Sequence, residues 1–199
     1  MGHEIANDAA ATEPSYAFKP SLMGAACQFT LKPDAMEWQI GRRSGRTRYD
    51  RFRAVRLSYR PVTMQSHRFV AEIWSPDHPK IQIVSASWRS LFEQERFDKG
   101  YAAFISELHS RLGAAGGGVQ FLTGLPAVTY WVGAAVFGVV MVTTGVMIVR
   151  ALQLGQWSVS AVIGAFFLVF AIQIGNYFRR NRPGRYRPQA IPAAVLPKA

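Results

Sequence analysis

A single cysteine, Cys27, occurs in the 199 residues, which excludes an intramolecular disulfide framework and the small secreted scaffolds that depend on one. No basic residue adjoins it, so its thiol reads as a small buried apolar group and not as a nucleophile. Acidic residues number twelve against 23 Lys and Arg, and none follows Glu107. Residues 113–149 contain no charge of either sign. The histidines His3, His67, His78 and His109 lack metal-ligand spacing, so the sequence has no zinc motif. A nucleophile elbow and a paired-carboxylate motif are also missing. "GAAGGGVQ" is glycine-rich, but it follows a helical pattern and precedes a long apolar run, the wrong setting for a phosphate loop. Together these absences lead us to expect a non-enzymatic protein without cofactor or metal.

What is present is segregated along the chain. Hydrophobic residues fill 49% of positions and charged residues 18%, yet the net charge is +11. Residues 126–149 and 157–177 are two uncharged runs. As helices they would extend about 36 and 32 Å, enough to cross a hydrocarbon core of roughly 30 Å. Tyr130, Trp131, Trp157 and Tyr177 lie near the ends of these runs, where amphipathic rings favour a membrane interface. Only residues 150–156 separate the runs, which predicts an antiparallel transmembrane hairpin over 126–178. Arg179, Arg180, Arg182, Arg185 and Arg187 crowd its exit, against Arg150 alone in the connection. By the positive-inside rule both termini are then cytoplasmic. Ala134 and Gly138, like Ala161 and Ala165, are small-residue pairs suited to packing the hairpin. Gln173 and Asn176 are its polar positions near the exit.

The N-terminal "MGHEIANDAAATEP" carries acids and no apolar core, so it is not a secretory signal. Met1-Gly2 opens like a myristoylation site, but Ala6 stands where Ser or Thr is required. Residues 1–25 are expected to be a disordered leader, 26–112 a folded domain, 113–125 a flexible glycine-rich linker, and 179–199 a basic, proline-rich tail.

Within 26–112 the apolar period is two. Phe29 and Leu31, then Met36, Trp38 and Ile40, alternate with polar residues around the turn Lys32-Pro33-Asp34. "RAVRLSYR" places Val55, Leu57 and Tyr59 on one face, with Arg56, Ser58 and Arg60 on the other. "RFVAEIW" and "KIQIVSAS" flank a Ser-Pro-Asp-His-Pro turn, which predicts a hairpin. The period then becomes helical: Phe97, Tyr101, Phe104, Ile105, Leu108 and Leu112 share a face. His109 is expected at its polar edge. Asp98, or a Ser90–Glu93 capping box, would start this helix, and Gly113 would end it.

The fold class expected is therefore α+β, a small antiparallel β-rich domain capped by a C-terminal helix and followed by a two-helix transmembrane hairpin. The strand-rich block 29–87, the helix "YAAFISELHSRL" and the adjoining hairpin resemble the bacterial pleckstrin-homology-like (PH-like) membrane proteins of uncharacterised function. The resemblance implies a PH-like interaction domain coupled to spans of a bacterial inner membrane. Five or six strands are legible here, where such a domain has seven.

Residues 42–61 hold eight arginines and one aspartate. Arg42, Arg43, Arg46 and Arg48 are placed in a turn region around Gly41 and Gly45, and Arg56 and Arg60 on one strand face. Arginine offers a planar fork suited to phosphate, so these six are candidates for contact with an anionic lipid leaflet. A solvated face paired with acids such as Glu37 and Glu72 is the competing account. Nucleic acid is disfavoured: residues 1–125 carry sixteen basic and twelve acidic residues, a weak excess with no recognition motif. The function expected is that of an accessory or assembly partner of a membrane complex, with an unknown membrane protein as partner. The alternative is a transport or channel component formed by oligomerised hairpins.

Overall fold

The computed structural model describes residues 13–20, 23–61, 67–88 and 94–197. Its strands are β1 (Ser15–Phe18), β2 (Cys27–Leu31), β3 (Ala35–Ile40), β4 (Arg43–Arg48), β5 (Ala54–Pro61), β6 (His67–Ser75), β7 (His78–Val84), β8 (Ala86–Trp88), β9 (Gln94–Arg96), β10 (Gln120–Thr123) and β11 (Gly184–Arg185). Its helices are α1 (Asp98–Ala114), α2 (Ala127–Gln153) and α3 (Trp157–Arg180). The α+β class, the mainly antiparallel sheets and the two long apolar C-terminal helices agree with the expectation.

One sheet has the order β1-β2-β3-β4, with each neighbouring pair antiparallel. The second has the order β11-β10-β5-β6-β7, and β8 and β9 form a separate two-stranded sheet. Alternation explains most of this. Cys27, Phe29 and Leu31 of β2 are buried while Gln28 is exposed, and Val55, Leu57, Ile73, Ile81 and Ile83 build the facing layer. Helix α1 closes the core with Tyr101, Phe104, Ile105, Leu108 and Leu112, all buried. Tyr16 and Phe18 join it through ring contacts with Phe29 and Phe104. Cys27 is 5% exposed, and burial raises its thiol above the ordinary range, as an inert core residue requires.

Four boundaries differ from the sequence expectation. Residues 15–18 of the expected leader form β1, which pairs with β2 from Ser15↔Thr30 to Phe18↔Cys27. Arg43, Arg46 and Arg48 lie on β4, not in a turn. Residues 120–123 of the expected linker form β10, parallel to β5 with Thr123 opposite Leu57. Residues 184–185 of the expected tail form β11, paired to β10. Helix α1 also passes through Gly113 and ends before Gly116, whose φ of +65° suits a glycine. Phe97 occupies its N-cap without a side-chain bond; the Ser90–Glu93 box lies outside the described residues.

Helices α2 and α3 are long and apolar enough to cross a membrane, and almost no residue of either is buried. Leu154, Gly155 and Gln156 connect them, with Gly155 at φ +72°. Their mutual packing is aromatic: Phe137 contacts Phe170 and Phe178, and Tyr130 contacts Phe178. The small-residue pairs do not form this seam, since Gly138, Ala161 and Ala165 are exposed. Gly133 is the small residue that matters, because a Cβ there would meet the Phe178 ring at 3.3 Å.

Candidate functional site: the hairpin joint and a cationic sheet face

Strands β10 and β11 flank the hairpin in sequence and are adjacent in the sheet, so the chain enters and leaves the helices at one place. Asn181, fully buried at the end of α3, fixes that place. Its Oδ1 accepts from the Tyr59 amide at 3.0 Å, and its Nδ2 donates to the Tyr59 carbonyl at 2.7 Å. The side chain thus pairs with β5 as another strand would. Its own carbonyl accepts from the Leu125 amide at 3.0 Å, and the Gly124 amide donates to the Leu57 carbonyl at 2.8 Å. Gly124 has φ +70°, and a Cβ on it would lie 2.2 Å from the Asn181 carbonyl oxygen. Arg180 lies over the Tyr59 ring at 4.7 Å.

The tail after β11 returns to the domain. Tyr186 stacks on His109 and contacts Phe121, while Val195 is buried in the core. His109 is itself wholly buried, not at a polar edge. Its Nδ1 faces the Ile105 carbonyl at 2.7 Å and so carries the proton, leaving Nε2 to accept from the Tyr186 hydroxyl at 2.7 Å. Burial lowers its pKa to about 4, so the ring is neutral at pH 7.

The arginines singled out from sequence separate into distinct environments. Arg46 grips Asp34 at 2.7 Å and Arg48 reaches Asp50 at 3.0 Å, both well exposed. Such pairs hold little free energy, but they engage the two guanidinium groups in cis. Arg42, in the turn before β4, and Arg43, the first residue of β4, are exposed, with no ion pair among the described residues. Of the exit arginines, Arg179 bonds the Asn176 side chain at 3.0 Å, Arg182 accepts from Thr123 through its carbonyl, and Arg185 pairs with Leu122 in β11. Arg187 is exposed.

Arg56 and Arg60 do share a face, as the alternation of β5 predicts, and the antiparallel register adds residues that sequence reading missed. Arg56 lies opposite Glu72, Ser58 opposite Val70, and Arg60 directly opposite Arg68. Among the described residues, Glu72 is the acid whose contacts draw on this face. It is 5% exposed, and its Oε1 receives Arg60 at 3.1 Å, Lys80 at 2.9 Å and Gln82 at 2.9 Å. Burial alone would raise its pKa, but these donors outweigh it and the carboxyl lies below the ordinary range. Arg56 and Lys80 flank the Trp74 ring at 5.3 and 5.8 Å.

Arg68 has no such compensation. Its Nε is buried without a hydrogen-bond partner, as are the Arg56 Nε and the Ser58 hydroxyl. Burial and the neighbouring Arg60 charge both depress its pKa. Arg56, Arg60, Arg68 and Lys80 therefore share one face with the Glu72 carboxylate, and three polar atoms there, the Arg56 and Arg68 Nε and the Ser58 hydroxyl, are buried without partners. Like charges directly opposite across a ladder destabilise, and buried polar atoms without partners are rare. Strand alternation was the available signal for Arg68, but its partner strand could not be fixed without the register.

Among the described residues no group of acidic, histidine or cysteine side chains could hold a metal ion. No protein-family model matches the chain, and no curated protein or solved structure shows significant similarity to it.

Proposed function

We propose that the chain is an integral protein of a bacterial inner membrane, with a cytoplasmic PH-like domain that acts without catalysis as an accessory or assembly partner of a larger membrane complex. The joint is the observation that carries this reading. Because β10 and β11 bracket the hairpin and lie side by side in the sheet, the domain is fixed to the base of the helices instead of trailing on a tether. A domain held in one pose presents the same surface to every partner, and less orientational freedom is lost on docking.

The PH-like assignment draws support from element order: four antiparallel strands, a three-stranded meander β5-β6-β7, then helix α1 packed into the core. The cytoplasmic assignment draws support from the five arginines at the hairpin exit against one at its turn. Purification in mild detergent at native expression, followed by mass spectrometry, is expected to recover a membrane protein in fixed stoichiometry. Recovery of the chain alone would contradict the assembly role.

A further inference from the structure

We propose that the outer face of the second sheet at Ser58, Arg60 and Arg68 is a phosphate-binding site, and that an anionic phospholipid headgroup supplies the phosphate. The membrane source rests on the spanning role proposed above; the phosphate chemistry does not.

The register places the site. Asn181, at the end of α3, bonds both backbone groups of Tyr59, which sets the next residue, Arg60, beside the base of the hairpin. Arg68 pairs with Arg60 and shares that level. The pair therefore lies at the base of the hairpin, where headgroups would be if α2 and α3 span a bilayer. The Arg42–Arg48 segment sits on the other sheet, where Arg46 and Arg48 already have carboxylate partners.

The chemistry names the ligand. An arginine pair opposed across a ladder, with an unpartnered Nε and an unpartnered hydroxyl below it, is an arrangement that an anion between the guanidinium groups would relieve. Phosphate fits because its oxygens match the guanidinium fork and also accept from a hydroxyl. Glu72 cannot fill this role, since Arg60, Lys80 and Gln82 already converge on its Oε1.

The test uses the full chain in a neutral detergent, followed by thermal unfolding with added inorganic phosphate, phosphatidylglycerol or phosphatidylcholine. Phosphatidylglycerol is expected to raise Tm in a saturable, salt-sensitive way, and phosphatidylcholine is not. Arg68→Gln should raise Tm without lipid, by removing the repulsion, and weaken phosphatidylglycerol binding at least tenfold. Ser58→Ala should weaken it less, while Arg42→Gln with Arg43→Gln should leave it unchanged. Inorganic phosphate matching the lipid's effect would keep the phosphate site and overturn the lipid source. Equal lipid response in wild type and Arg68→Gln, or a loss that follows Arg42 and Arg43 instead, would overturn the site itself.

Discussion

His109 shows how one residue records its surroundings. It is neutral in the fold because burial lowers its pKa to about 4, whereas an unfolded chain would titrate it near the ordinary 6.5. The folded state thus binds fewer protons, and stability is present above pH 6.5 and falls as pH drops from about 6.5 to about 4. Full loss would be on the order of 3 kcal/mol at 1.36 kcal/mol per pKa unit. Thermal unfolding of the full chain at pH 7.5 and pH 5 should show the decline, and His109→Gln should flatten it. Tyr186→Phe removes the hydroxyl that donates to Nε2 and leaves a buried acceptor unpaired. It should lower stability at pH 7.5 by about 1–3 kcal/mol. Neither role was legible in the sequence. The helical period located Leu108 and Leu112 in the core correctly, but His109 beside them becomes buried only because a tail beyond both apolar helices folds back over it. Glu72 makes the same point with charge. Its carboxylate receives Arg60 and Lys80, so Glu72→Gln should destabilise by about 1–3 kcal/mol, less than a fully buried pair because both partners are partly exposed.

Elements were legible where burial writes a period into the sequence. Strands β2, β5 and β7 and helix α1 announce themselves by alternating or helical apolar positions. Strand β4, "RSGRTR", has no apolar residue, and only Thr47 on it is buried. It exists because its backbone completes the ladder with β3, and because Gly45 leaves room for the Trp38 ring, which a Cβ would meet at 2.5 Å. Strands β10 and β11 are short, and their partners are distant in sequence, so no local signal marks them. Pairing between residues 120 and 54, or 185 and 122, is a tertiary fact. The joint at Asn181 is therefore the element whose loss should be most specific. Asn181→Ala removes three side-chain hydrogen bonds, to both backbone groups of Tyr59 and to the Tyr177 carbonyl. Hydrogen exchange should accelerate at the Tyr59 amide and in the tail, while β6 and β7 keep their protection. Gly124→Ala should act in the same direction, through strain at φ +70° and the clash with the Asn181 carbonyl. Uniform acceleration across the domain would mean that the joint is not a separable unit.

The whole molecule was the most legible level, because segregation of charge along the chain survives without any contact being known. The two uncharged runs became α2 and α3, each extended by a few residues beyond the run. Their outward faces, from Val128 and Trp131 to Phe166 and Ile172, remain exposed, as a lipid-facing surface would be. What the sequence could not convey is that the β-rich domain and the hairpin are stitched together through the sheet, since that requires residues 56, 122 and 185 to meet. The central claim is a two-span protein with its domain and its tail on the cytoplasmic side. Reporter fusions at Met1, Leu154 and Ala199, using a fluorescent protein active only in the cytoplasm and a phosphatase active only outside it, measure this directly. The cytoplasmic reporter should be active at Met1 and Ala199 and silent at Leu154, with the phosphatase showing the reverse. Phosphatase activity at either terminus, or cytoplasmic fluorescence at all three positions, would contradict the spanning hairpin and its orientation.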